Sequence, residues 1–140
     1  MKQYFSEDPK KAIIGTWRLV SSEFQGVGGR VIALDAVGCI MYDEHGYMSA
    51  QYIKSGAKLE GTADEIRAAF EICVSYYGTY EVNIEKGSVV HHVEASMFPN
   101  VQPDLERFCK FSDNRLSLTT TPMQVGDSEG VLAFIWERVK

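Results

Sequence analysis

Val131-Leu132-Ala133-Phe134-Ile135-Trp136-Glu137-Arg138-Val139, set against Gly15-Thr16-Trp17-Arg18-Leu19-Val20 near the other end of the chain, decides the fold. The later stretch puts Leu132, Phe134, Trp136 and Arg138 on one face and Val131, Ala133, Ile135, Glu137 and Val139 on the other, which is the period of a strand. In a closed antiparallel barrel the first and last strands must meet, so an aromatic on one can stack with an arginine on the other. Trp17 and Arg138 occupy those places. On the same alternation Trp17 and Leu19 share a face with Ser21 and Glu23.

Working outward from the two ends, turn signals divide the chain at short intervals. Thr16 to Gln25 runs into Gly26-Val27-Gly28-Gly29, a loop lacking the following helix that phosphate binding needs. Val37 to Tyr42 and Tyr47 to Ile53 flank Asp43-Glu44-His45-Gly46 as a hairpin. Thr62-Ala63-Asp64-Glu65 has the form of a capping box, and Ile66, Ala69, Phe70 and Cys73 recur at helical spacing, so one helix is predicted after the third strand. Tyr76 to Ile84 and Ser88 to Phe98 make a second hairpin, and Pro99-Asn100 with Pro103 opens a loop. Leu105 to Phe111 and Arg115 to Thr121 flank Ser112-Asp113-Asn114, and Val131 to Val139 completes the set. The reading is all-β: an antiparallel up-and-down barrel of about eight strands with one short helix, residues 1–11 forming an N-terminal arm and 12–140 a single domain. A barrel of that size encloses room for one small ligand.

Composition excludes several functions. At 140 residues the chain can bury a core without disulfides or metal. Its 45% hydrophobic content, with seven Tyr, seven Phe and two Trp, leaves material for an apolar cavity. A net charge of −5 and no basic run longer than Lys10-Lys11 argue against a nucleic-acid partner. Cys39, Cys73 and Cys109 are odd in number and widely spaced, which fits reduced thiols rather than a disulfide framework or a zinc site. Glu7, Asp8 and Pro9 interrupt any apolar leader, and no segment has membrane-spanning length; a cytoplasmic protein with no membrane partner is expected.

The candidate site residues follow from alternation. Trp17, Phe134 and Trp136 lie on the prospective inner face, where the two tryptophans together either line a ligand site or, as the favoured reading, plug the narrow end. On Ser88 to Phe98 one face carries His92, Glu94 and Ser96, the other His91, Val93, Ala95 and Met97. If the second face covers the core, the first is merely solvated; if the interior is a cavity, His92, Glu94 and Ser96 supply its polar groups. Tyr76 and Tyr80 share a face, with Gly78 between them leaving space. Arg107 alternates with the more exposed set Glu106, Phe108 and Lys110, so it points inward and takes Glu94 as a candidate partner. Ser49 and Gln51 extend the polar row of Tyr47.

Catalytic alternatives narrow by elimination. His91 and His92 face opposite sides of a strand and cannot chelate one ion together, so no metal is expected. No Gly-x-Ser-x-Gly elbow is present, and neither Cys73 nor Cys109 sits beside an activating base in sequence. No cofactor is implied.

Taken in order, Gly15-Thr16-Trp17-Arg18-Leu19-Val20, Gly46-Tyr47-Met48-Ser49-Ala50-Gln51, Gly78-Thr79-Tyr80, His91-His92-Val93-Glu94, Leu116-Ser117-Leu118-Thr119 and Trp136-Glu137-Arg138 resemble the small lipocalin-like domain family of bacteria and fungi, over about residues 12 to 139. One departure is visible: Val101-Gln102-Pro103 follows Pro99-Asn100 where such proteins often continue Trp-x-Gly. The resemblance implies a barrel with a central cavity. It does not imply one activity, because relatives include cofactor-free cyclases and pericyclic catalysts of natural-product pathways. Three readings stay open. One is a binding protein for a small apolar or amphipathic molecule, lined by Trp17, Ser49, Gln51, Tyr76, Tyr80, Phe134 and Trp136 and oriented by His92, Glu94, Ser96 and Arg107. Another is a cofactor-free cyclase, isomerase or pericyclic catalyst in which His92 exchanges a proton with the substrate while Glu94 or a tyrosine orients it or supplies a hydrogen bond. The last is an interaction module with a filled core. Val131 and Ile135 on the outer face would suit a homodimer.

Overall fold

The computed structural model describes residues 8–55, 61–64, 66, 73–97, 102–125 and 127–140. Among them, a short helix α1 (Pro9–Ala12) precedes ten strands. These are β1 (Gly15–Gly26), β2 (Val31–Leu34), β3 (Ala36–Tyr42), β4 (Tyr47–Lys54), β5 (Val74–Asn83), β6 (Ser88–Ser96), β7 (Asp104–Ser112), β8 (Arg115–Thr120), β9 (Met123–Val125) and β10 (Ser128–Arg138). Each pairs antiparallel with its neighbours in the order β2-β1-β3-β4-β5-β6-β7-β8-β10-β9, and β1 also pairs with β10, which closes the sheet.

The ten strands are eight staves. β2 and β3 both run along β1, separated by Asp35, and β8 and β9 both run along β10, separated by Thr121 and Pro122. Proline has no N–H to give to a ladder, so the pairing lapses there and resumes beyond it. The result is the closed eight-strand antiparallel barrel that the alternation predicts, with the two extra short strands as continuations. Of the predicted helix, Ala63, Asp64 and Ile66 have helical backbone and the Ile66 N–H donates to the Thr62 carbonyl at 3.0 Å. Glu65, Ala69 and Phe70 lie outside the described residues.

Two bulges change which side chains face inward. The β1–β10 register shifts between Leu19 and Ser21. The inner row of β1 is therefore Trp17 and Leu19 followed by Ser22 and Phe24, rather than Ser21 and Glu23, and Ser22 and Phe24 are buried. A second shift falls between Tyr77 and Gly78, opposite Val93 to Ala95 of β6. There the strands come so close that a Cβ on Gly78 would lie 1.9 Å from the His92 carbonyl oxygen. Gly78 is needed for backbone approach, a stricter requirement than space beside two phenols.

One end of the barrel is closed by side chains. Trp17 is fully buried, donates its indole N–H to the Ile13 carbonyl at 2.9 Å, and packs against Phe111 with ring centroids 6.3 Å apart. The Arg138 guanidinium lies 4.3 Å from the Trp17 ring centre and donates to the carbonyls of Ile14 (2.8 Å) and Ala12. It thereby satisfies free C=O groups at the end of α1 and holds that helix over the plug. α1 begins with Asp8, whose carboxylate accepts the Lys10 N–H at 2.9 Å, and with Pro9 at its first position. No helix among the described residues is long and apolar enough to cross a membrane.

Candidate functional site

Above the plug the barrel holds a cavity of about 390 Å³, within the range of small-molecule sites. Inner-face aliphatic residues line it, including Ile40, Ala50, Val74, Leu105, Leu118 and Leu132. Aromatic rings continue the wall: Phe134 meets Tyr52 edge-on at 5.4 Å and Trp136 at 6.2 Å. The Tyr52 hydroxyl is 3.0 Å from Ser22 Oγ, which donates to the Leu34 carbonyl. The other notable depression, about 350 Å³ beside Lys10 and Glu81 to Glu85, is on the outside of the barrel and gathers no comparable set of groups.

The polar part of the cavity is built around His91. The ring is 1% exposed, with Tyr42 Oη 2.6 Å from Nε2 and Tyr76 Oη 2.7 Å from Nδ1. Burial, with the charge of Arg107, holds the imidazole at a pKa of about 3, so it is neutral at ordinary pH, with one nitrogen donating and the other accepting. Tyr42 fixes which. Its hydroxyl is buried and its one hydrogen-bond partner among the described residues is His91, so a Tyr42 proton turned elsewhere would lie buried without an acceptor. Tyr42 therefore donates to Nε2, and the Nδ1–H donates to Tyr76. The Tyr76 proton is then left over, on a side chain that lines the cavity. Burial pushes the Tyr76 phenol up to about 12, opposed by Arg107, and burial raises Tyr42 further. Both stay protonated.

Arg107 lines the same cavity from β7. One of its N–H groups reaches the Glu106 carbonyl at 3.1 Å. Among the described residues no carboxylate pairs with it. Burial lowers its pKa, while nearness to the Tyr76 and Tyr42 phenols opposes that fall, and a guanidinium remains charged regardless.

Of the residues expected from sequence, the structure gathers Tyr76, Arg107, Phe134 and Trp136 around the cavity. Trp17 belongs to the plug instead. Tyr80 packs edge-on against Tyr42 at 4.8 Å and donates to the Asp43 carbonyl at 2.6 Å, away from the cavity wall. Ser49 and Gln51 face outward and bond to each other at 2.9 Å, while Met48, Ala50 and Tyr52 take the inner side of β4. The placement of His92 and Glu94 in the cavity is corrected. His92 is outside, with Nδ1 2.8 Å from Asp104 and Nε2 3.6 Å from Glu81, and the Asp104 hydrogen bond raises its pKa. Glu94 is exposed and does not reach Arg107. The inner positions of β6 are Val89, His91 and Val93. Beyond the bulge the phase reverses, and Ser96 pairs with Tyr76 and shares its face.

Sequence reasoning missed His91 and Tyr42. The signal was present for His91, since Val89, His91 and Val93 form the more apolar row. Tyr42, at the end of its strand, carries no local sign of pointing at a histidine 49 positions away.

A closed antiparallel barrel with an apolar interior and a few placed polar groups defines a small-molecule-binding class of protein. The chain matches the model of the lipocalin-like domain over residues 14–139. It belongs to that family. No curated protein matches it.

Proposed function

We propose that this protein binds a small, mostly apolar molecule in the central cavity, with the ligand's polar end turned toward Arg107 and the Tyr76–His91 pair. The observation that carries the reading is the combination of an apolar wall with a partly buried cation that has no carboxylate partner among the described residues. A filled core would have little use for that charge, because taking an ion out of water without a partner is costly. Native mass spectrometry of freshly purified protein tests it against the denatured mass of the same sample. A non-covalent mass excess at one equivalent supports the reading. A protein that stays without added mass through a screen of apolar ligands contradicts it.

A second reading, a cofactor-free cyclase or isomerase, is favoured by one observation: two donors, Tyr76 and Arg107, line one mostly apolar cavity. Such donors stabilise negative charge developing on a substrate oxygen. The high pKa of both phenols makes the Tyr42–His91–Tyr76 chain a fixed donor, since a buried phenolate would be costly at neutral pH. That weighs toward holding a ligand over exchanging protons with it. Extraction after prolonged incubation separates the two: a ligand recovered unchanged fits a binding protein, and an isomerised or cyclised one fits an enzyme.

A further inference from the structure

The polar groups buried in the cavity and still open to a ligand are donors: Gln102 and Thr121 of its lining are exposed, and the buried Thr120 is already engaged, its Oγ1 accepting the Leu132 N–H and donating to Met123. Tyr42 and His91 spend their donors on each other and on Tyr76, which leaves the Tyr76 O–H directed to a ligand. Arg107 spends one N–H on the Glu106 carbonyl, and a guanidinium has five donors and no acceptor. The Tyr52 hydroxyl is engaged with Ser22. The imidazole, which would ordinarily supply an acceptor, has its accepting nitrogen filled by Tyr42. Donors and a fixed positive charge therefore face an apolar space, with no carboxylate beside Arg107 among the described residues and with the hydroxyl of its cross-strand neighbour Thr120 already engaged.

From this the geometry points to an aliphatic or aromatic carboxylic acid as the ligand class, its carboxylate accepting from Arg107 and Tyr76 and its hydrocarbon body filling the space between β3, β4, β8 and β10. The inference rests on the cavity-binding reading above and deepens it. A carboxylate is acceptor-only and matches the planar guanidinium fork. An alcohol supplies one weaker acceptor and leaves the charge unpaired. An ammonium adds a like charge beside Arg107 and finds no carboxylate there among the described residues.

Titration calorimetry at neutral pH with decanoate, decanol and decylammonium tests the assignment, because the three share one chain and differ in head group. Decanoate is expected to bind at least about tenfold more tightly than decanol, the scale of hydrogen bonds to a charged group, and decylammonium not measurably. Arg107→Met should bring decanoate down to the level of decanol and leave decanol unchanged. Tyr76→Phe should lower decanoate by a few-fold and likewise spare decanol. A thermal melt of each variant verifies that it folds, and Arg107→Lys, which keeps the charge but not the fork, should fall between wild type and Arg107→Met. Decanol binding as tightly as decanoate, or an acid preference that survives Arg107→Met, overturns the carboxylate assignment while leaving the cavity reading intact. Failure of all three probes to bind counts against both.

Discussion

The two tryptophans sit in the two halves of one barrel and are treated differently by it. Both are buried, yet Trp17 gives its indole N–H to Ile13 and carries Arg138 over its face, whereas Trp136, in the cavity wall, has an Nε1–H without an acceptor among the described residues. The same contrast separates the two inward arginines. Arg138 is spread over a ring and two carbonyls, while Arg107 has a single carbonyl. Polar groups in a core that exists only to be stable are satisfied from within. Where they are left short, as at Trp136 and Arg107, the interior is not organised for internal satisfaction alone. On the proposed reading, the plug is the part of the molecule built for the fold, and the cavity is the part built for a ligand.

Substitutions that fall on one half and spare the other sharpen that contrast. The largest effect is expected at the plug. Trp17→Ala removes a fully buried ring, the Ile13 hydrogen bond and the seat of Arg138 together, and should cost about 3–5 kcal/mol in urea denaturation. A loss below about 1 kcal/mol would show that the closed end does not hold the barrel together.

Next comes the pH dependence of the His91 cluster. Its folded pKa of about 3 lies below the ordinary 6.5 of a free imidazole. The unfolded chain therefore takes up a proton first as pH falls, so the contribution of His91 is complete above about pH 6.5 and is lost progressively toward pH 3. Stability should drop by a few kcal/mol across that window, readable as a falling denaturation midpoint. In His91→Phe this part of the slope should vanish, at the expense of about 1–3 kcal/mol at neutral pH for stranding the Tyr42 hydroxyl. An unchanged acid slope in that variant would show that the imidazole is not the buried neutral group described. His92 works in the opposite sense. Its pKa is raised, so its small contribution is present at low pH and fades as pH rises through the folded value.

The smallest effect is expected at Trp136. Replacing it with Phe keeps most of the ring and removes the orphaned N–H, so the lost contact area and the removed desolvation penalty should nearly cancel, within about 1 kcal/mol. Destabilisation as large as that of Trp17→Ala, measured in the same urea series, would mean that the two halves are built alike.

What was legible in the sequence is what a period of two carries without interruption. The face of β10 that holds Leu132, Phe134, Trp136 and Arg138, the closure of β10 on β1, and the inward set of Arg107, Cys109 and Phe111 follow from alternation alone. Reading failed where a single extra residue reverses the phase. The bulge after Leu19 swaps Ser21 and Glu23 for Ser22 and Phe24, and the bulge opposite Gly78 carries Ser96 to the face of Tyr76. His91 and His92 are identical neighbours, and only their rows tell them apart: Val89 and Val93 flank His91, while Val90 and Glu94 flank His92. Burial beside Tyr42 and Tyr76 settles one, and Asp104 and Glu81 draw out the other. An unpaired arginine and a leftover phenol proton cannot be read from spacing at all. They emerge only when every partner around His91 has been counted.

The most direct test of the account blocks the cavity while leaving Arg107 and the plug in place. Ala50 is buried, small and faces the cavity from β4, so Ala50→Phe would place a ring where the ligand body should lie. Wild-type protein should bind anilinonaphthalene sulfonate at a single saturable site, and the Ala50→Phe variant should lose that binding at least about tenfold while keeping a wild-type thermal transition. Equal binding by the two folded proteins would put the dye, and with it the ligand site, outside the barrel and contradict the account.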